Sequence, residues 1–248
     1  MNIAKNMAIT LAAMSLFSST LTSAGPLISI GSMYEVLNSD QRSLAKRVYN
    51  NGDTNAYVRV DVMQINPTVK DSETPVKTLK DAELVKDRLL VTPMRMIIPP
   101  NNFQTSRILW SGQRDIEQYY RVRYTPVLPV TNDGFGLDDK EIKDYRNKTV
   151  QAGVNVLAGY GTVVIVQPSN PKFNTRMTQQ KNSIEIANMG NATVIAEDIK
   201  ICKTNMNQCD ASTRAFVLPG QTYTIKKQGG GSISFSLQEG SQRRPINY

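Results

Sequence analysis

A chain of 248 residues with 29 Lys and Arg, 21 Asp and Glu and no histidine excludes several chemistries at once. Without histidine there is no Ser-His-Asp or Cys-His nucleophile, no HExxH zinc site and no haem on a proximal His. Two cysteines cannot supply a four-cysteine zinc or iron–sulfur site, so no metal and no cofactor is expected. The balance of 40% hydrophobic and 20% charged residues is that of a globular chain, and a net charge of +8 favours an acidic partner.

Residues 1–24 read as a secretory signal. Lys5 is the basic start, Met7–Phe17 is a short apolar run, and Leu21-Thr-Ser-Ala24 places small residues before a cleavage point at Gly25. The run is too short to span a bilayer. An exported chain meets oxidising conditions, so Cys202 and Cys209 are expected to close a disulfide over the polar loop Lys-Thr-Asn-Met-Asn-Gln. A redox pair would want CxxC spacing, which is missing.

The exported part reads as strands almost throughout. Tyr34–Leu37 is a short run, and Ser43–Tyr49 ends at the turn Asn50-Asn-Gly-Asp53. Ala56–Ile65 alternates, with Val58, Val60 and Val62 on one face and Tyr57, Arg59, Asp61 and Met63 on the other. Leu89–Ile98 is interrupted by Pro93, which marks an edge or a change of sheet. Phe103–Trp110, Tyr119–Thr125, Ser183–Ala187, Ala192–Cys202, Arg214–Leu218, Gln221–Lys227 and Ser232–Leu237 follow, the last two joined through Gly229–Gly231. The one helix candidate is the short segment Leu79–Val85. Many short strands with turns between them predict an all-β chain of sandwiches.

Gln167-Pro-Ser-Asn-Pro171 is a stiff polar linker. It predicts domains at 25–168 and 169–248, about 140 and about 80 residues, each the size of a small sandwich. Thr131–Lys148, rich in charge, is expected to be a mobile solvated loop. Its Asp133–Asp144 stretch lacks the ligand order of a calcium loop. Gly159-Tyr-Gly161 lacks the third glycine and the helix of a dinucleotide fingerprint. Arg59, Arg121 and Arg123 with Tyr57, Tyr119 and Tyr120 could form a basic aromatic face, but an exported protein rarely meets nucleic acid, and no such partner is expected.

Thr149–Val166 stands apart. Ala152, Val154, Val156, Ala158 and Tyr160 alternate with polar or small residues, and Thr162–Val166 is apolar on both faces. Such a strand either packs in the core or lends its face to a partner by strand addition.

The order of these blocks resembles the periplasmic chaperones of chaperone–usher pilus systems. Leu89–Ile108 is similar to that family's block of strand, Thr-Pro, apolar strand, proline turn and Arg-Ile. Glu117-Gln-Tyr-Tyr-Arg-Val-Arg-Tyr124, Gly161–Pro168, Ile186–Thr193 and Val217-Leu-Pro-Gly220 follow in the family's order. Leu37–Val48 looks closest to the branch that serves common-pilus type fimbriae. The resemblance implies two Ig-like β-sandwich domains set as a boomerang, a non-enzymatic role, and pilin subunits and an outer-membrane usher as partners in the periplasm. It implies that Val154, Val156, Ala158 and Tyr160 are the side chains donated to a pilin's open groove. It also allows a self-capping homodimer of the free protein.

The best-known branch anchors the pilin's terminal carboxylate with an Arg on the first strand and a Lys on the donor strand. The same spacing places Tyr34 and Val163 there. Arg121 and Arg123, on the neighbouring strand, are the substitutes this predicts. Two other functional classes compete: a structural pilus subunit or adhesin, which would expose an N-terminal donor peptide, and an exported hydrolase built without His.

Overall fold

The computed structural model describes residues 25–69, 72–76, 88–150, 157–203, 208–227 and 231–248, with only the backbone at 148–150. Among them lie seventeen strands and one helix. The first ten strands are β1 (Ile28–Ser29), β2 (Tyr34–Leu37), β3 (Ser43–Asn50), β4 (Ala56–Ile65), β5 (Glu73–Pro75), β6 (Arg88–Thr92), β7 (Arg95–Ile98), β8 (Asn102–Ser111), β9 (Gln118–Pro126) and, after helix α1 (Asp139–Val150), β10 (Tyr160–Val166). The remaining seven are β11 (Thr175–Gln180), β12 (Ser183–Asn188), β13 (Val194–Cys202), β14 (Thr213–Val217), β15 (Thr222–Lys226), β16 (Ser232–Glu239) and β17 (Gln242–Asn247).

Strands before Gln167 pair only with one another, as do those after it. The first group forms a sheet ordered β1-β3-β8-β6 and a second ordered β2-β10-β9-β4-β5, with β7 also on β4. The second group forms β11-β12-β15 and β14-β13-β16-β17. Each group encloses its own core. Val48, Val58, Ile98, Ile108, Val122 and Val164 are fully buried in one, and Ile186, Val194, Ala196, Ile233 and Leu237 in the other. The chain is thus all-β apart from α1, built as two sandwiches.

β4 shows why its residues form a strand. Val58, Val60 and Val62 enter the core while Arg59 and Asp61 pair with each other on the outer face. Pro93 changes the sheet as its position predicts: β6 before it pairs with β8, and β7 after it pairs with β4 on the facing sheet. Strands β1, β5, β11 and β17 carry no clear alternation and escape the sequence reading. β15 and β16, expected as neighbours in sequence, belong to different sheets.

Two expectations need correction. Thr131–Lys148 is not a mobile loop along its length, because α1 begins at Asp139. The Glu141 amide donates to Asp138 Oδ1 (2.7 Å) and the Asp138 amide to Glu141 Oε2 (2.9 Å), a reciprocal capping box. Asp139 and Glu141 also complement the positive end of the helix. Ile142 and Tyr145 then bury one face. Tyr145 meets Tyr57 edge to face at 4.7 Å, and its hydroxyl donates to the Asn55 carbonyl. Likewise Thr149–Val166 is not one strand: Thr149 and Val150 end α1, and β10 starts only at Tyr160. The helix candidate Leu79–Val85 lies outside the described residues.

Each sandwich is closed at one end by a buried asparagine followed two residues later by glycine. Asn50 Nδ2 donates to the carbonyls of Thr54 and Ile98, while its Oδ1 accepts from the Leu27 and Gly52 amides. Asn188 Nδ2 donates to Ala192 and Val217, and its Oδ1 accepts from Gly190. A Cβ at Gly52 would lie 2.1 Å from the Gly25 carbonyl oxygen, and one at Gly190 2.1 Å from that of Lys172. Glycine is required at both crossings because backbone passes there.

Candidate functional site

The site forms where β10 outruns its neighbour. Along its whole length β10 pairs antiparallel with β9, from Tyr160↔Tyr124 to Val166↔Gln118. On the other side β2 runs parallel to it and pairs only from Val163↔Tyr34 to Val166↔Leu37. Tyr160, Gly161 and Thr162 therefore have no register partner on β2, and the strand presents a partly open edge.

Beside that edge is a cavity of about 470 Å³, lined by Arg121, Arg123, Met33, Tyr34, Tyr160 and Val163 among others. Strand periodicity puts Arg121 and Arg123 on the same outer face of β9, opposite Val163 and Gly161 on β10. Gly161 keeps the cavity open: a Cβ there would touch the Arg121 stem at 3.4 Å. One carboxylate, Glu73 on β5, accepts from both guanidiniums, Oε1 from Arg121 and Oε2 from Arg123. The arginines are 39% and 41% exposed and Glu73 21%, so the trio is accessible to solvent.

Tyr34 carries the site to the second sandwich, where its ring stacks on Phe216 of β14. A second junction is buried. The Glu117 carboxylate accepts from the Thr193 amide (2.7 Å), the Thr193 hydroxyl and the Tyr119 hydroxyl (2.6 Å). Burial raises the Glu117 carboxyl above its usual range, against these hydrogen bonds, and burial with the Glu117 charge raises the Tyr119 phenol. Within the first core, Lys46 Nζ is buried and satisfied by Glu35 Oε1 (2.7 Å) and the Ser32 carbonyl. This ties down the turn that leads into Met33 and Tyr34.

Of the residues singled out from sequence, Arg121 and Arg123 come together with Tyr34 and Val163 around one cavity. Tyr160 opens β10 and packs against the first core. Ala158 lies just before the strand, and Val154 and Val156 lie outside the described residues. Cys202 and Cys209 form a disulfide with an S–S distance of 2.06 Å. Sequence reasoning missed Glu73, Phe216 and the Glu117–Thr193 pair, since each meets its partner only through tertiary register. Among the described residues no cluster of three or more His, Cys, Asp or Glu is arranged to hold a metal ion. No described helix is long and apolar enough to cross a membrane.

No family profile matches the chain. It is similar to a CS1 fimbrial protein of Escherichia coli, 25% identical over 203 residues, covering 79% of each chain. It is also similar to "Probable fimbrial chaperone EcpB" of Escherichia coli O127:H6, 22% identical over 196 residues, again covering 79% of each. Among solved structures, the class 5 fimbriae chaperone CfaA matches with a TM-score of 0.52 at 20% identity, over 89% of this chain and 98% of that one. The Salmonella enterica SafB chaperone, solved with the SafA pilin, matches with a TM-score of 0.54 at 16% identity, over 90% and 95%. The chain has the two-sandwich fold of the fimbrial chaperones of the chaperone–usher pathway.

Proposed function

We propose that this protein is a periplasmic chaperone of fimbrial assembly that caps pilin subunits by lending them a strand and delivers them to an outer-membrane usher. The observation that carries the reading is the open edge of β10 beside a cavity walled by two arginines. A strand edge offers main-chain hydrogen bonds, and alternating side chains on it offer apolar anchors. Val154, Val156, Ala158 and Tyr160 are those anchors, and Arg121 with Arg123 holds the subunit's chain-terminal carboxylate. Two guanidiniums on one oxygen pair supply the charge-assisted bonds a partly buried carboxylate needs. The relatives support the role: one is named a fimbrial chaperone, and SafB was solved with a pilin. The signal at 1–24 supports export, and the pairing of strands within two groups supports domains at 25–168 and 169–248.

The test is subunit capture. Co-expression with the pilin encoded beside this gene should yield a stable complex that copurifies from the periplasm. Val154→Arg with Val156→Arg should abolish it, because two buried valines worth about 1.5–3 kcal/mol each are replaced by charges. Unchanged capture by that variant overturns the donor-strand reading.

A further inference from the structure

Arg121 and Arg123 stand two residues apart on β9, and each donates to a different oxygen of Glu73. Glu73 comes from across the sheet. β5 pairs with β4 and β4 with β9, so the carboxylate reaches over an intervening strand to lie on both guanidiniums. The remaining walls at this end, Met33, Tyr34, Tyr160 and Val163, are apolar or aromatic. A cationic pair with apolar walls suits the carboxylate and side chain of a terminal residue, and an internal carboxylate already occupies the cationic part.

We infer that Glu73 is a specificity-determining residue of this cavity: it holds the arginine pair as an internal carboxylate, and a chain-terminal carboxylate binds by displacing it. The inference rests on the reading of Arg121 and Arg123 as the terminal anchor. A second carboxylate beside Glu73 would meet like charge at contact distance, so the two compete rather than share. β5 is three residues long and forms the outer edge of its sheet, so Glu73 can withdraw without breaking an interior ladder. The tethered carboxylate has a high effective concentration, which small free anions do not match. A carboxylate arriving on a strand that also pairs with β10 is tethered in the same way once the strand is seated. The internal occupant therefore makes the anchor selective for a chain end delivered with its strand.

The experiment is an NMR titration of the full exported chain with N-acetyl-tyrosine and with its carboxamide, following the Gly161 and Arg123 amides. Four proteins are compared: the unaltered chain, Glu73→Gln, Glu73→Ala and Arg121→Gln with Arg123→Gln. Both Glu73 variants should bind the carboxylate at least about fivefold more tightly than the unaltered chain, the release expected from an accessible ion pair. The carboxamide should show no such gain, and the double arginine variant should bind neither. If the Glu73 variants bind the carboxylate no more tightly, while the double arginine variant loses it, the role of Glu73 is overturned and the anchor stands. If carboxylate and carboxamide behave alike in the unaltered chain and both Glu73 variants, the anchor fails and the inference with it. Tightening in only one Glu73 variant also overturns it, because both remove the same charge.

Discussion

The ring of Tyr34 on β2 lies over that of Phe216 on β14, with 4.2 Å between centroids and 25° between planes. One residue therefore lines the arginine cavity of the first sandwich and touches the second. A double-mutant cycle of Tyr34→Ala and Phe216→Ala in urea denaturation should give a coupling of about 1 kcal/mol, the worth of a stacked aromatic pair beyond its area. Additive effects of the two substitutions would show that the stack does not couple the sandwiches.

Glu117 makes the buried junction sensitive to pH. Burial raises its pKa above the ordinary 4.5, so the folded protein holds this proton more tightly than the unfolded chain. That contribution is fully present below about pH 4.5 and is lost as pH rises through the raised folded value. The urea midpoint should fall across that window, and Glu117→Gln should flatten the fall. Identical slopes in the two proteins would assign the pH dependence elsewhere.

Asn50 and Asn188 each satisfy several buried backbone groups at the end of a sandwich. Replacing either by alanine leaves donors and acceptors without partners, at a cost of about 3 kcal/mol. Calorimetry should register the loss in the sandwich that carries the substitution. A loss below about 1 kcal/mol would mean that water replaces the amide without penalty.

The Cys202–Cys209 bridge closes a short loop at the end of β13. Cys202→Ser with Cys209→Ser should cost about 2–3 kcal/mol, the chain-entropy value for a loop of this length. Denaturation with and without reductant checks it, and the unaltered chain under reductant should match the double variant.

Legibility followed the range of the interactions. β4 was readable because Val58, Val60 and Val62 alternate with polar residues within one strand. The Arg121–Arg123 pair was readable because i and i+2 share a face of any strand. α1 was hidden by the charge around it, although Asp138 and Glu141 spell its capping box and Ile142 and Tyr145 its buried face. Glu73 had no local signal at all. It sits on a three-residue strand and meets the arginines only across β4, a register that no nearby residue encodes. The neighbouring placement of Tyr34 and Val163 followed from the resemblance, but the partial cover of β10 by β2 required the ladder itself.

That partial cover fixes a polarity. β2 starts beside Val163 and runs in the direction of β10, and the arginine cavity lies at its first residue. A guest strand seated on the open edge with its carboxyl end between Arg121 and Arg123 must therefore approach β2 head to tail, travelling the same way as β10. The two segments then share one line, the guest stopping where Met33 and Tyr34 begin. Residues added to the guest's carboxyl end would collide with that start. Extending a pilin by three residues at its C-terminus should abolish capture, and the same extension at its N-terminus should not.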